Sequence, residues 1–225
     1  MKSLYAFRLA LFAIAVAAVS ACGESKLGPN VPASVSPASG DSQTILVGNH
    51  SSAPLIAVIK NSDGSPLPNI PVRWTVTSGG GSLLTLIDTT NANGEVSTTY
   101  LSPAVAGPAK VNAAASGRST AFLITLAPDT VGTLIAFEGD GAAALVGFQL
   151  ALVAKASDRF GNAIKGVDIT WATNGGTLQL PTGVTDSLGR ASNTITVGPD
   201  TGKVAITAAS RFNTITFTVH SLPTN

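Results

Sequence analysis

The sequence predicts an all-β protein made of two antiparallel β-sandwiches in tandem. Three observations carry that reading. Short runs rich in Val, Ile, Thr and Leu alternate with a period of two and end at Gly, Pro, Asn or Asp, which is strand patterning. After residue 30 the chain divides into two similar halves of roughly 95 residues each. Beyond residue 22, no stretch of about 12 residues keeps a helical period.

Composition limits the function. Of 225 residues, 11% are charged, against about a quarter in an ordinary globular domain. The formal net charge of +1 provides no broad basic surface for nucleic acid or an anionic membrane. The single cysteine, Cys22, excludes an internal disulfide and a cysteine-rich metal site. Two histidines, His50 and His220, are scant material for a metal centre or a histidine-based triad. No cofactor is expected.

Residues 1–21 read as an export signal. Lys2 and Arg8 supply a positive start, and Leu9 to Val19 is an apolar run of 11 residues. That is too short to cross a bilayer, which takes about 20. The run then closes on Val19-Ser20-Ala21-Cys22. These four residues resemble a bacterial lipobox, which implies cleavage before Cys22, a diacylglycerol on its sulfur and a further acyl chain on the new N-terminus. Two or more chains hold a protein on a bilayer where one is marginal. An ordinary secretory signal cut after Ala21 is the alternative. Gly23, rather than Asp, follows the cysteine, which by analogy with sorting in enteric bacteria points to the outer membrane. Residues 22–30 then form a lipidated cysteine and a polar, flexible spacer.

The halves run from residues 31–128 and 129–221, with a tail at 222–225. Each opens on an acidic turn and a strand, Asp41 to Gly48 and Asp140 to Gly147. Leu55 to Val76 then matches Leu150 to Thr173, aligning Lys60 with Lys155, Asp63 with Asp158 and Trp74 with Trp171. On that alignment the second copy has two more residues between Asp and Trp, and His50 lies in a four-residue insertion of the first. Gly79 to Leu83 matches Gly175 to Leu178, and Gly94 falls over Gly189. Gly107 to Ser116 matches Gly202 to Ser210, and both halves close on an alternating run.

Within these blocks, Val72, Trp74 and Val76 share one face of a strand, and Arg73, Thr75 and Thr77 the other. Ile169 with Trp171, and Phe217 with Val219, repeat the pattern. Threonine outward suits a half-buried sheet, being β-branched yet polar. Asn93-Gly94 favours a tight turn, and Asp63-Gly64 is expected to close a hairpin.

The blocks PVRWTVTSGGGSL, TTNANGEVSTTY and AKVNAAAS, with VDITWATNGGTL, TDSLGRASNT and KVAITAAS in the second copy, resemble the bacterial immunoglobulin-like domain of the invasin/intimin group. The resemblance covers nearly all of residues 31–221. It implies an immunoglobulin-like sandwich without a disulfide, with Trp74 and Trp171 each filling the centre between two sheets. No β-barrel anchor and no lectin-like tip is recognisable in the sequence, so receptor binding is not carried over.

Chemistry-bearing motifs are sparse. Gly40 to Gln43 (GDSQ) faintly resembles a block of some lipases and esterases, yet the second copy has Gly141 in place of Ser42 and His220 is the only late histidine. Gly79-Gly80-Gly81 could form an anion nest but has no following helix, so a loop is expected. Asp63 and Asp158 are candidates for inter-domain Ca²⁺, which needs six to eight oxygens; turn formation explains them better. His50 and His220 read as solvated. Phe148, Phe160 and Phe212 fall near turns or strand ends and would be the platform for a glycan, although Phe160 within Asp-Arg-Phe-Gly-Asn can instead plug the end of its sandwich.

The expectation is a lipid-anchored cell-envelope protein, not an enzyme, whose two modules act as a stalk or adhesion unit. At about 40 Å per module, its reach is on the order of 80 Å. The alternatives are a glycan- or protein-binding module and, remotely, a hydrolase using Ser42 and His220.

Overall fold

The structure is a computed structural model and describes residues 30–224; every regular element in it is a β-strand. The first half holds β1 (Ser34–Ser39), β2 (Gln43–Leu46), β3 (Leu55–Lys60), β4 (Pro71–Ser78), β5 (Ser82–Leu83), β6 (Ile87–Thr89), β7 (Glu95–Thr98), β8 (Tyr100–Leu101), β9 (Gly107–Ala115) and β10 (Arg118–Ala127). The second holds β11 (Thr133–Glu138), β12 (Ala143–Leu145), β13 (Gln149–Ser157), β14 (Asp168–Thr173), β15 (Thr177–Leu178), β16 (Thr182–Val184), β17 (Arg190–Thr196), β18 (Gly202–Ala209) and β19 (Thr214–Leu222).

In the first half, one sheet has the order β2-β10-β9-β4-β6, and the other β1-β3-β7, with β5 and β8 paired beside it. The second half repeats this as β12-β19-β18-β14-β16 and β11-β13-β17-β15. Pairing is antiparallel except at one edge of each larger sheet, where β2 runs parallel to β10 and β12 parallel to β19.

Each half buries its own core. Alternation along β4 sends Val72 and Trp74 inward and Arg73 and Thr75 out. Trp74 keeps 1% of its surface exposed and Trp171 4%. Room for each indole comes from the neighbouring strand, where the cross-strand partners are the small residues Ala113 and Ala208. Phe122 and Phe217 then pack against the indoles with ring centroids 5.5 and 5.7 Å apart, in the tilted geometry aromatic pairs favour. Neither indole N–H has a hydrogen-bond partner, so both rings are held by packing alone.

Side chains that stitch strands across loops recur in the two halves. Thr90 Oγ donates to the Leu67 carbonyl and accepts from the Ile70 N–H; Thr185 does the same with Ile164 and Val167. Asn91 accepts the N–H groups of Asn93 and Glu95, and Asp186 those of Leu188 and Arg190. Asp41 caps the Leu123 N–H, and Asp140 the Thr218 N–H.

These bonds correct the alignment of the halves. Asn61 N–H donates to the Ser65 carbonyl as Asp158 N–H does to that of Asn162, and Leu67 N–H donates to Ile59 as Ile164 N–H does to Ala156. Asp158 therefore corresponds to Asn61, not Asp63, and Lys155 to Val58, not Lys60. The two extra residues before the second tryptophan disappear, and the insertion around His50 shrinks to two residues. Pairing Lys60 with Lys155 sets a false register because outward residues carry none, whereas inward residues such as Leu55 and Leu152 do.

Asp63-Gly64 does not close a hairpin. The strands on either side, β3 and β4, belong to different sheets, so this turn carries the chain across the sandwich. The Asp63 carboxylate accepts the Ser65 N–H there.

Candidate functional site: the joint between the sandwiches

The most densely bonded polar cluster lies where the sandwiches meet. Asp158 begins the turn after β13 and is 1% exposed. Its Oδ1 accepts the N–H groups of Phe160 and Asn162 at 2.8 and 2.9 Å. Its Oδ2 accepts the Asp129 N–H of the linker at 3.0 Å and the Asn162 amide at 2.9 Å. Burial pushes the carboxyl pKa up, but these donors outweigh it and hold the group below the ordinary carboxylate value. With four N–H groups on its two oxygens, Asp158 organises a turn and a linker and offers little to a cation. Among the described residues no three His, Cys, Asp or Glu are grouped to hold a metal.

The turn reaches across to the first sandwich. Asn162 Nδ2 donates to the Ala104 carbonyl at 2.8 Å, and its Oδ1 accepts the Ala106 N–H at 2.9 Å. Phe160 lies against Gly48, where an added Cβ would stand 3.2 Å from the ring. Arg159 stacks over Phe160, 4.6 Å from its centroid, and pairs with Asp129 at 3.2 Å. The Arg159 side chain of that ion pair is largely exposed, so the pair adds little stability; the amide clasp and the buried carboxylate do the holding.

The model of the family described as bacterial Ig-like domain (group 1) matches residues 38–126 and 147–220, well over half the chain. The chain belongs to that family. No curated protein matches it. Among solved structures, Yersinia pseudotuberculosis InvD is similar at 22% identity and a TM-score of 0.56, over 85% of this chain and 57% of InvD. FdeC, an Escherichia coli adhesin, is similar at 16% identity and a TM-score of 0.50, over 82% of this chain and 63% of that one. At these identities the likeness concerns the fold. The bacterial Ig-like chain spans about three-fifths of either structure.

The remaining candidates in this Ig-like protein disperse. Ser42 sits in the turn between β1 and β2 of the first sandwich, its N–H on the Leu123 carbonyl, while His220 lies in β19 of the second. His50 is exposed and bridges to Leu101. The Gly79–Gly81 loop is packed into its own sandwich: Tyr100 donates its hydroxyl to the Gly80 carbonyl at 2.6 Å. Phe160 does not plug its own sandwich; it leans on Gly48 of the neighbouring one and stays 42% exposed. Phe212, in the turn before β19, is near the joint, since the adjacent Asn213 reaches the Gly132 carbonyl at 3.4 Å. Phe148 is at the opposite end of the module, its carbonyl on the Val197 N–H. The three rings form no shared platform. Cys22 and the export segment lie outside the described residues.

Sequence reasoning placed Asp158 and Asn162 in one loop but missed the clasp on Ala104 and Ala106. A signal was present. Once Asp158 is set over Asn61, the turn Asn61-Ser62-Asp63-Gly64-Ser65 faces Asp158-Arg159-Phe160-Gly161-Asn162, and only the second has a cation, a ring and, at its last position, an amide to offer a neighbour.

Proposed function

We propose that the protein is a lipid-anchored stalk of the cell envelope, with two Ig-like modules divided near residue 128 and held as one stiff unit. The observation that supports this most is the Asn162 clasp with the buried Asp158 beneath it. A joint that satisfies linker, turn and neighbouring backbone together transmits orientation and force, as a spacer must. Cys22, behind its apolar leader, supplies the anchor through acyl chains on its sulfur and amine. The outer membrane is the proposed location, and display or contact at the cell surface the role. That FdeC is an adhesin agrees with such a role.

Fatty-acid labelling of the wild-type chain beside Cys22→Ser tests the anchor. Label should appear on the wild type and be absent from the variant; equal labelling would defeat the proposal. Protease added to whole cells then reports which side of the membrane the modules face.

A further inference from the structure

We infer that the far end of the second sandwich is a docking site for another Ig-like module, received through a turn carrying Arg, an aromatic residue, Gly and Asn in succession. In the first sandwich Asn162 is gripped by the Ala104 carbonyl and the Ala106 N–H, with Gly48 giving room for the Phe160 ring.

The strand pairings that follow align this wall with the second sandwich without a gap. Gly107 pairs with Leu126 as Gly202 pairs with Ser221, and Trp74 with Ala113 as Trp171 with Ala208. Ala104 and Ala106 therefore correspond to Pro199 and Thr201, and the matching glycine is Gly147. These stand at the end away from the joint. A carbonyl at Pro199 and an N–H at Thr201 flank Asp200 beside a groove of about 110 Å³. Neither group takes part in the backbone hydrogen bonds of the described residues. A Cβ on Gly147 would meet nothing within 4 Å, whereas the same atom on Gly48 meets Phe160. One bond in the wall differs: Gly147 N–H binds Val197, one residue short of the match to the Gly48–Pro103 bond.

Two substitutions between the ends say what the partner carries. Asp200 stands where the first sandwich has Val105, and Phe148, 59% exposed, where it has Asn49. An acid and a ring beside an amide-reading wall complement the arginine, the aromatic residue and the asparagine of a joint-type turn. A second copy of this chain fits poorly. Its Asp158–Asn162 turn is engaged in its own joint, and its Asn61–Ser65 turn would bring Asp63 toward Asp200 with no cation or ring and with Ser65 in the place of the gripping Asn162. The partner is thus a module bearing the Arg-aromatic-Gly-Asn turn. This inference extends the stalk reading but does not depend on the lipid anchor.

The test is a titration of the ¹⁵N-labelled chain from Gly23 onward with a backbone-cyclised peptide, Ser-Asp-Arg-Phe-Gly-Asn-Ala. Saturable shifts are expected at the amides of Gly147, Asp200, Thr201 and Gly202, with affinity in the ~mM range. A peptide with Asp in place of its Asn should bind at least about tenfold more weakly, and so should the parent peptide to Asp200→Lys, a surface change whose other amide signals stay in place. No shift at these four amides, or equal binding by both peptides, would overturn the inference.

Discussion

Asn162 of the second sandwich holds the first by both ends of its amide, donating to the Ala104 carbonyl at 2.8 Å and accepting from the Ala106 N–H at 2.9 Å. The same side chain donates to the Asp158 carboxylate, so the clasp and the buried acid are one unit. A primary amide carries its donor and its acceptor on separate atoms and so serves both backbone groups at once, whereas a carboxylate has no donor and a lysine no acceptor.

Asn162→Ala should therefore expose the Ala106 N–H to solvent. Its hydrogen-exchange protection is expected to fall at least about tenfold, while that of Val111, within β9, stays as it was. Equal protection at Ala106 in both proteins would show that the amide does not hold the joint.

Acid should loosen the joint. The Asp158 carboxyl sits below its ordinary value of 3.8 because N–H donors from Asn162, Asp129 and Phe160 overcome the upward push of burial. A depressed carboxylate stabilises fully above its ordinary value, and that stabilisation is lost as pH falls through the lower native one. Thermal unfolding of the wild type should thus be flat from pH 7 to about 5 and drop steeply below about 4. Asp63 and Asp186 are also depressed and contribute to the drop, so the comparison is with Asp158→Asn. That variant should start lower at neutral pH and lose less in acid. Parallel curves for the two would refute the role given to Asp158.

Trp74→Ala should cost the first sandwich about 3–5 kcal/mol, because the indole is fully enclosed against Phe122 and the cavity can close only in part. The cores are separate, so denaturant unfolding should split into two transitions, the second sandwich keeping its own midpoint. A single transition moved as a whole would show that the halves unfold together.

Gly94→Ala and Gly189→Ala should each destabilise the sandwich that contains them. Both glycines have positive φ, +70° and +73°, and a Cβ on Gly94 would stand 2.6 Å from the Ile59 carbonyl oxygen. On Gly189 it would run into the carbonyl oxygen of Ala156. Strain plus contact is worth roughly 1–3 kcal/mol or more in each case, read from the denaturation midpoint.

What the sequence made legible follows from where information lies in a sheet. Buried alternation is local, so the strands holding Trp74, Trp171 and Phe217 could be read directly, and so could the repeat. Register was less secure: Lys60 and Lys155 are alike in type but occupy different places, since the outward face tolerates either. The crossing of the chain at Asp63-Gly64 escaped because a turn of that composition serves hairpins and sheet-to-sheet passages equally. The joint was least visible. Asn162 and Ala104 are 58 residues apart, and nothing in either residue names the other. Only the contrast between the two aligned turns points there, and that contrast needs the correct register first.

A stiff stalk requires the two modules to share one fixed orientation. Spin labels at Ser97 and Ser192, both on exposed or half-exposed outer strand positions, measure it by pulsed electron resonance. A single narrow distance distribution is expected for the wild-type chain, broadening with Asn162→Ala. A broad distribution in the wild type, unchanged by that substitution, would contradict the stiff joint and the stalk built on it.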